Sequence, residues 1–266
     1  MQKYGFIGLG SQGAPMARRM IEAGLEVVLW ARREETLEPF RDSGASFASS
    51  VGELGEQVDY CAICVVDDAG VRQVVDQLLP RMSPGGVLVI HATVHPELCK
   101  ALARTAAEQG IALVDAPVSG GGEGAANGTL TVMLGGEQNT VDAVRPVLET
   151  FAGTIVHLGD VGAGQTAKLV NNTLMAANVA NAWHALETAA ALGIDRAALA
   201  DLVRVSSGRS FGFEVCARMP QPSAFEHGAR LLAKDVRLLG ETIGEQEDYD
   251  ILRRTAHSFL DRALAD

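Results

Sequence analysis

The chain has 266 residues, 47% hydrophobic and 21% charged, with a formal net charge of −11. That balance is typical of a globular protein long enough for two domains. Its acidity excludes a phosphate-tracking surface, so no nucleic-acid partner is expected. No apolar run approaches the ~20 residues that a membrane helix needs. The start, Met1-Gln2-Lys3-Tyr4-Gly5-Phe6, shows no charged, apolar and cleavage regions in series, so no secretory signal is read there.

Short apolar strands are predicted at 4–8, 26–30, 59–66, 86–91, 111–115, 130–134 and 154–158. Helical stretches are predicted between them at 12–23, 68–79, 96–109 and 137–150, and 42–56 is too polar and glycine-broken to assign. The alternation predicts a mostly parallel, doubly wound α/β sheet of Rossmann type, with helices on both faces. Cys61 and Cys64, spaced as in a redox motif, fall inside the strand at 59–66. Residues three apart on a strand point to opposite faces, so they are read as structural thiols in a reducing compartment, the cytoplasm.

Beyond residue 160 the strand signal stops. From Gly162-Ala163-Gly164 to Leu192 there is no proline or further glycine, which predicts one helix of roughly 30 residues, about 45 Å long. It is apolar all round, as expected of a helix buried between domains and against a second subunit, hence a homodimer or higher homo-oligomer. Gly193 ends it, and three or four helices should follow. The expected domains are an α/β domain over 1–160 and an all-helical substrate and dimerisation domain over 161–266.

The first strand runs into Gly8-Leu9-Gly10-Ser11-Gln12-Gly13-Ala14, and a helix begins at once. In that context Gly8 permits a tight turn, Gly10 lets backbone approach a pyrophosphate, and Gly13 lets helix and strand pack closely. A dinucleotide is therefore expected on this turn, at the helix N-terminus. After the second strand an NAD site places a carboxylate for the ribose 2′-hydroxyl, whereas a 2′-phosphate calls for a cation. The chain has Ala31-Arg32-Arg33 and no acid before Glu34. Arg32, with Arg33 second, points to NADP in preference to NAD.

Four further stretches stand in order: Asp115-Ala116-Pro117-Val118-Ser119-Gly120-Gly121, Gly128-Thr129-Leu130-Thr131, Gly162-Ala163-Gly164-Gln165-Thr166-Ala167-Lys168-Leu169-Val170-Asn171-Asn172, and Lys234-Asp235. With the glycine turn they resemble the β-hydroxyacid dehydrogenase family, which includes 3-hydroxyisobutyrate dehydrogenases and glyoxylate/succinic semialdehyde reductases, over nearly the whole chain. The resemblance implies that Ser119, Gly120 and Gly121 bind a substrate carboxylate and that Lys168 is the catalytic acid/base. It implies that Asn172 orients the substrate, that Lys234 lies beside substrate and nicotinamide, and that Thr93 lies near the nicotinamide ribose. Two positions depart from the family pattern, Gln12 where Met is common and His91 where an acid or hydroxyl is; the second bears on the cofactor wall.

Lys168 and Asn172 are four apart and share a helix face, with Gly164 one turn earlier expected to leave room for a ligand. A lysine in an Ala/Leu/Val-rich helix is costly to bury without a task. Reduction of a carbonyl needs a proton delivered to the developing alkoxide, which a partly desolvated lysine near Lys234 can supply. The expected function is hydride transfer between a nicotinamide cofactor and a short hydroxy acid, oxo acid or semialdehyde. The alternatives are an imine reductase, against which the helix lysine stands, and a non-catalytic dinucleotide-binding module, against which the Lys168/Asn172 pair stands. No metal is expected, since Pro96 and a strand end separate His91 and His95 from a shared helix face.

Overall fold

The computed structural model describes residues 2–244 and 247–265. Strands β1 (Lys3–Ile7), β2 (Glu26–Trp30), β3 (Ser46–Phe47), β4 (Tyr60–Ile63), β5 (Val87–Ile90) and β6 (Ala112–Asp115) form one sheet in the order β3-β2-β1-β4-β5-β6. Every neighbouring pair is parallel. Helices α1 (Gly13–Glu22), α2 (Val51–Gln57), α3 (Asp68–Leu78) and α4 (Pro96–Ala107) connect the strands. Alternation along each strand feeds two cores: Phe6, Leu29, Ala62 and Val89 join one, and Ile7, Val28, Ile63 and Ile90 join the other. A sheet buried on both faces reads in sequence as unbroken apolar runs, as these strands do.

The segment 42–56 holds β3 and α2. Ser50 caps α2 by accepting from the Glu53 N–H at 3.1 Å, and Glu53 accepts from the Ser49 N–H at 2.7 Å. Ser50-x-x-Glu53 is a capping-box spacing, the local signal that could have located this helix.

One expectation is corrected. The strands predicted at 130–134 and 154–158 are not in the parallel sheet. They are β8 (Leu130–Leu134) and β9 (Ala152–His157), which with β7 (Val118–Ser119) form a second, three-stranded sheet. β7 is antiparallel to β8, with Ser119 opposite Thr131. Pro117, two residues after β6, has no N–H with which to extend that strand, and the chain turns there. α5 (Gly121–Asn127) and α6 (Gln138–Leu148) complete this region.

α7 (Ala163–Ala191) is a single helix of 29 residues. It is followed by α8 (Arg196–Arg204), α9 (Phe211–Ala217), α10 (Glu226–Ile243) and α11 (Glu247–Ala263). The chain divides into two compact units, Met1–Lys168 and Leu169–Asp266. The core of the second gathers Trp183, Phe213, Val236 and Phe259, whereas Val170 and Leu174 of α7 remain 47% and 49% exposed. No described helix is long and apolar enough to cross a membrane.

Candidate active site

In the first unit the three glycines of the turn have separate tasks. Gly8 has φ +100°, and a side chain there would strike the Cys64 carbonyl. A side chain on Gly13 would strike the Gly8 carbonyl, so the α1 N-terminus can sit against the turn only with glycine. At Gly10 a Cβ would meet nothing within 4 Å; that space lies open to a ligand. Helices α2, α3, α8 and α9 each start on a side-chain cap, from Ser50, Asp67, Asp195 and Ser210. α1 has none, and its first turn holds no acid, so its leading N–H groups and the positive end of its dipole are left for an anion.

A cavity of about 800 Å³ opens at the carboxyl ends of β1, β2 and β4, beside the point where the strand order reverses. Gly8, Gly10, Ala31, Arg32 and Arg33 line it together, with Cys64 and Asp67. Ser11, Gln12 and Gly13 are not in its lining; they continue the turn into α1. Among the described residues Asp67 is the one carboxylate in the lining, and it is committed to the Gly70 N–H at 2.8 Å as the α3 cap. Glycine turn, uncapped helix and paired arginines fit the pyrophosphate and ribose of a dinucleotide.

The redox reading of Cys61 and Cys64 has no support in the fold. Cys61 is buried in β4 and Cys64 follows the strand on the cavity wall, and all four cysteines are free thiols. Burial pushes the Cys64 thiol up to about 12.

Beyond β6, Ser119 belongs to β7, while Gly120 and Gly121 have φ +130° and +66°, which only glycine adopts freely. The next residue, Gly122, packs on the phosphate turn: a Cβ there would lie 2.5 Å from the Ser11 carbonyl oxygen. The carboxylate-binding segment expected from the sequence is thus seated directly on the cofactor turn.

Asp115, at the end of β6, is fully buried and holds the start of α7. Its Oδ1 accepts from the Gly162 N–H at 2.6 Å and its Oδ2 from the Gln165 N–H at 2.7 Å. Burial raises its pKa to about 6, against the backbone N–H groups that favour the charged form. Gly164 does not leave room for a ligand as expected. A side chain there would strike the Met133 carbonyl and come 2.9 Å from the Asp115 carbonyl oxygen, because the helix start is pressed onto the strand ends. Gln165 is also fully buried; Oε1 accepts from the Val94 N–H at 3.1 Å and Nε2 donates to the Ala92 carbonyl at 2.8 Å. Thr93 lies between those anchors, outside the lining of the cavity. Lys168 is buried on α7, one turn beyond Gln165 and Gly164.

His91 does not bear on the cofactor cavity. It is buried between Phe6 and Phe151, with Nδ1 2.7 Å from the Ala116 carbonyl oxygen, and burial pushes its pKa down to about 4. The imidazole is therefore neutral and packs as part of the core. His95 caps α4, its Nδ1 accepting from the Glu97 N–H at 3.2 Å, while its own N–H donates to Asp68 at 3.1 Å.

In the second unit, Asn172 and Lys234 share a partner to which the sequence pattern assigned no role. Asn172 Nδ2 donates to Asp235 Oδ2 at 2.6 Å, and Lys234 Nζ lies 3.1 Å from Asp235 Oδ1. Asp235 is 3% exposed, and this pairing satisfies its charge. Asn171 Nδ2 donates to Asn172 Oδ1 at 3.1 Å, which fixes the amide orientation.

A parallel sheet with an order reversal, a phosphate turn and an arginine-lined cavity define a nicotinamide-dinucleotide-binding protein. Comparison with known proteins agrees. Residues 3–159 match the family described as the NAD binding domain of 6-phosphogluconate dehydrogenase. Residues 162–264 match the NAD-binding domain of NADP-dependent 3-hydroxyisobutyrate dehydrogenase. An NAD-dependent L-serine dehydrogenase of Pseudomonas aeruginosa is 33% identical over 91% of this chain and 85% of its own. A Mycobacterium tuberculosis 3-hydroxyisobutyrate dehydrogenase solved with L-serine superposes with TM-score 0.86 at 28% identity, covering 100% of this chain and 96% of that one. A Streptomyces aurantiacus imine reductase has TM-score 0.72 at 20% identity, covering 100% and 96%, a likeness of fold alone.

The chain belongs to the β-hydroxyacid dehydrogenase family. It is an oxidoreductase that uses NADP or NAD and transfers hydride between that cofactor and a hydroxy acid or its carbonyl counterpart.

Proposed function

We propose that this enzyme prefers NADP, that its substrate is a short carboxylate bearing a hydroxyl or carbonyl group, and that Lys168 is its acid/base. One observation carries the cofactor preference: Arg32 and Arg33 share the cavity of the glycine turn, while its one lining carboxylate among the described residues is spent on a helix cap. Both arginines are exposed, but Arg33 lies 3.7 Å from Glu35, so Arg32 is the stronger phosphate ligand. Arg32→Ala should lower kcat/KM for NADPH by roughly 10- to 100-fold, the worth of one charge-assisted contact, and leave NADH nearly unchanged. A preference for NADH in the wild type that persists in Arg32→Ala would refute the assignment.

NADPH, when bound, supplies the hydride. The Lys168 ammonium then gives a proton to the developing alkoxide oxygen and, in the reverse direction, the neutral amine takes one from the hydroxyl. The same cation stabilises the alkoxide while the proton is in transit. The Ser119 hydroxyl and the backbone N–H groups of Gly120 and Gly121 take the carboxylate, and Thr93 the nicotinamide ribose. Asp235 uses one hydrogen of the Asn172 amide and leaves the other for the substrate, with Lys234 beside it. The relatives named for L-serine and 3-hydroxyisobutyrate support a substrate of this size and charge.

The test is a screen of short semialdehydes and oxo acids with NADPH. Lys168→Ala should bind NADPH as the wild type does and lose about 10²- to 10⁴-fold in kcat. Wild-type kcat in that variant would refute the acid/base role, and a wild type that binds cofactor but turns over nothing would support a binding module. The free cysteines support a cytoplasmic location, and the exposed Val170 and Leu174 of α7 support a homodimer or higher homo-oligomer.

A further inference from the structure

We infer that Gln165 is a positioning residue that ties the turn of α7 leading to Lys168 to the Ala92–Val94 segment at the carboxyl end of the sheet. The inference rests on Lys168 being the acid/base.

Three residues after β5 the backbone must change direction, and its carbonyl and N–H groups lose their strand partners. One carboxamide replaces both. Gln165 Nε2 donates to the Ala92 carbonyl at 2.8 Å and its Oε1 accepts from the Val94 N–H at 3.1 Å. An amide offers a donor and an acceptor in one rigid plane, so the two bonds fix the rotation of the segment as well as its distance. Thr93, between the two anchors, is therefore held by contacts that do not involve its own side chain.

The other end of the clamp is equally fixed. The Gln165 N–H donates to Asp115 Oδ2 at 2.7 Å, and Asp115 also binds the Gly162 N–H at 2.6 Å. Gly135 and Gly164 let the backbone come this close, since a Cβ on Gly135 would lie 2.5 Å from Asp115 Oδ1. The first turn of α7 is thus docked on the strand ends, and Lys168 is three residues from Gln165 on the same rigid helix. A shift of about 1 Å between catalytic group and cofactor can cost 10²-fold in rate, so this register controls kcat rather than affinity.

The test is a double-substitution cycle on full-length enzyme, reading kcat and the NADPH Kd for wild type, Gln165→Leu, Lys168→Ala and the pair. Gln165→Leu should lower kcat about 10- to 100-fold in the wild type but less than about twofold in Lys168→Ala, because residues that act as a unit are not additive. An equal fold loss in both backgrounds, or no loss in either, overturns the positioning role while the acid/base reading stands. Wild-type kcat in Lys168→Ala removes the acid/base reading and the inference with it. Gln165→Leu strands two buried backbone groups; if it does not fold, Gln165→Glu, which keeps the size and the acceptor toward Val94, takes its place under the same criteria.

Discussion

Replacing Gly10 by alanine separates ligand binding from folding in a way that replacing Gly13 does not. A Cβ on Gly10 meets nothing within 4 Å, and its φ is outside the left-handed region, so the folded chain accepts it. Removing glycine at a compatible position stabilises by about 0.4–1 kcal/mol through the unfolded chain, so Tm without ligand should hold or rise by up to roughly 3 °C. The methyl group occupies the space of the approaching phosphate, and loss of one charge-assisted backbone contact costs about 1.5–3 kcal/mol, roughly 10- to 100-fold in Kd. A Cβ on Gly13 meets the Gly8 carbonyl, backbone against backbone. Strain of that kind costs about 1–3 kcal/mol, lowering Tm by roughly 2–10 °C as well as weakening binding. Thermal melts without ligand, paired with fluorescence titration of NADPH, read both quantities. A Gly10→Ala protein that loses as much Tm as Gly13→Ala, or that binds NADPH as the wild type does, refutes the division of tasks.

The buried residues Asp115 and His91 make opposite contributions to stability against pH. Asp115 rises from 3.8 to about 6, so its contribution is complete below about pH 4 and lost as pH rises through 6; His91 falls from 6.5 to about 4, so its contribution is present above pH 6.5 and lost as pH falls through 4. Each is worth about 3 kcal/mol at 1.36 kcal/mol per pKa unit. In urea melts between pH 4 and 6.5, Asp115→Asn should steepen the loss of stability toward acid, and His91→Phe should turn it toward a gain; parallel pH profiles for both variants and wild type would refute this. Gly122→Ala should weaken NADPH binding from outside the cofactor cavity, since its Cβ would lie 2.5 Å from the Ser11 carbonyl oxygen. An unchanged NADPH Kd in a folded Gly122→Ala protein would show that the two segments are not coupled.

What the sequence determined by itself was local. Apolar runs and helical patterns located five of the six strands of the parallel sheet, all but β3, and a helix of roughly 30 residues, observed as 29. The glycine turn and Ala31-Arg32-Arg33 were legible because strand, turn and helix are consecutive there, and the cavity brings them together. α2 was equally local, but its Ser50-x-x-Glu53 signal lies among glycines and polar residues that mask the helical period.

The rest was decided by tertiary structure. Gly164 shares a helix face with Lys168, as spacing requires, but spacing cannot say that strand carbonyls fill that face. Strands β8 and β9 had an apolar pattern suited to the main sheet, yet such a pattern does not choose between sheets. Gln165 reaches partners 71 and 73 residues away, and Asp115 reaches Gly162 across 47. Such bonds have no sequence period, because the partners meet only after the sheet has formed and α7 has docked on its end. The sequence marked candidate residues for cofactor and substrate; the fold supplied the buried carboxylate and carboxamide that seat the first turn of α7 on the strand ends.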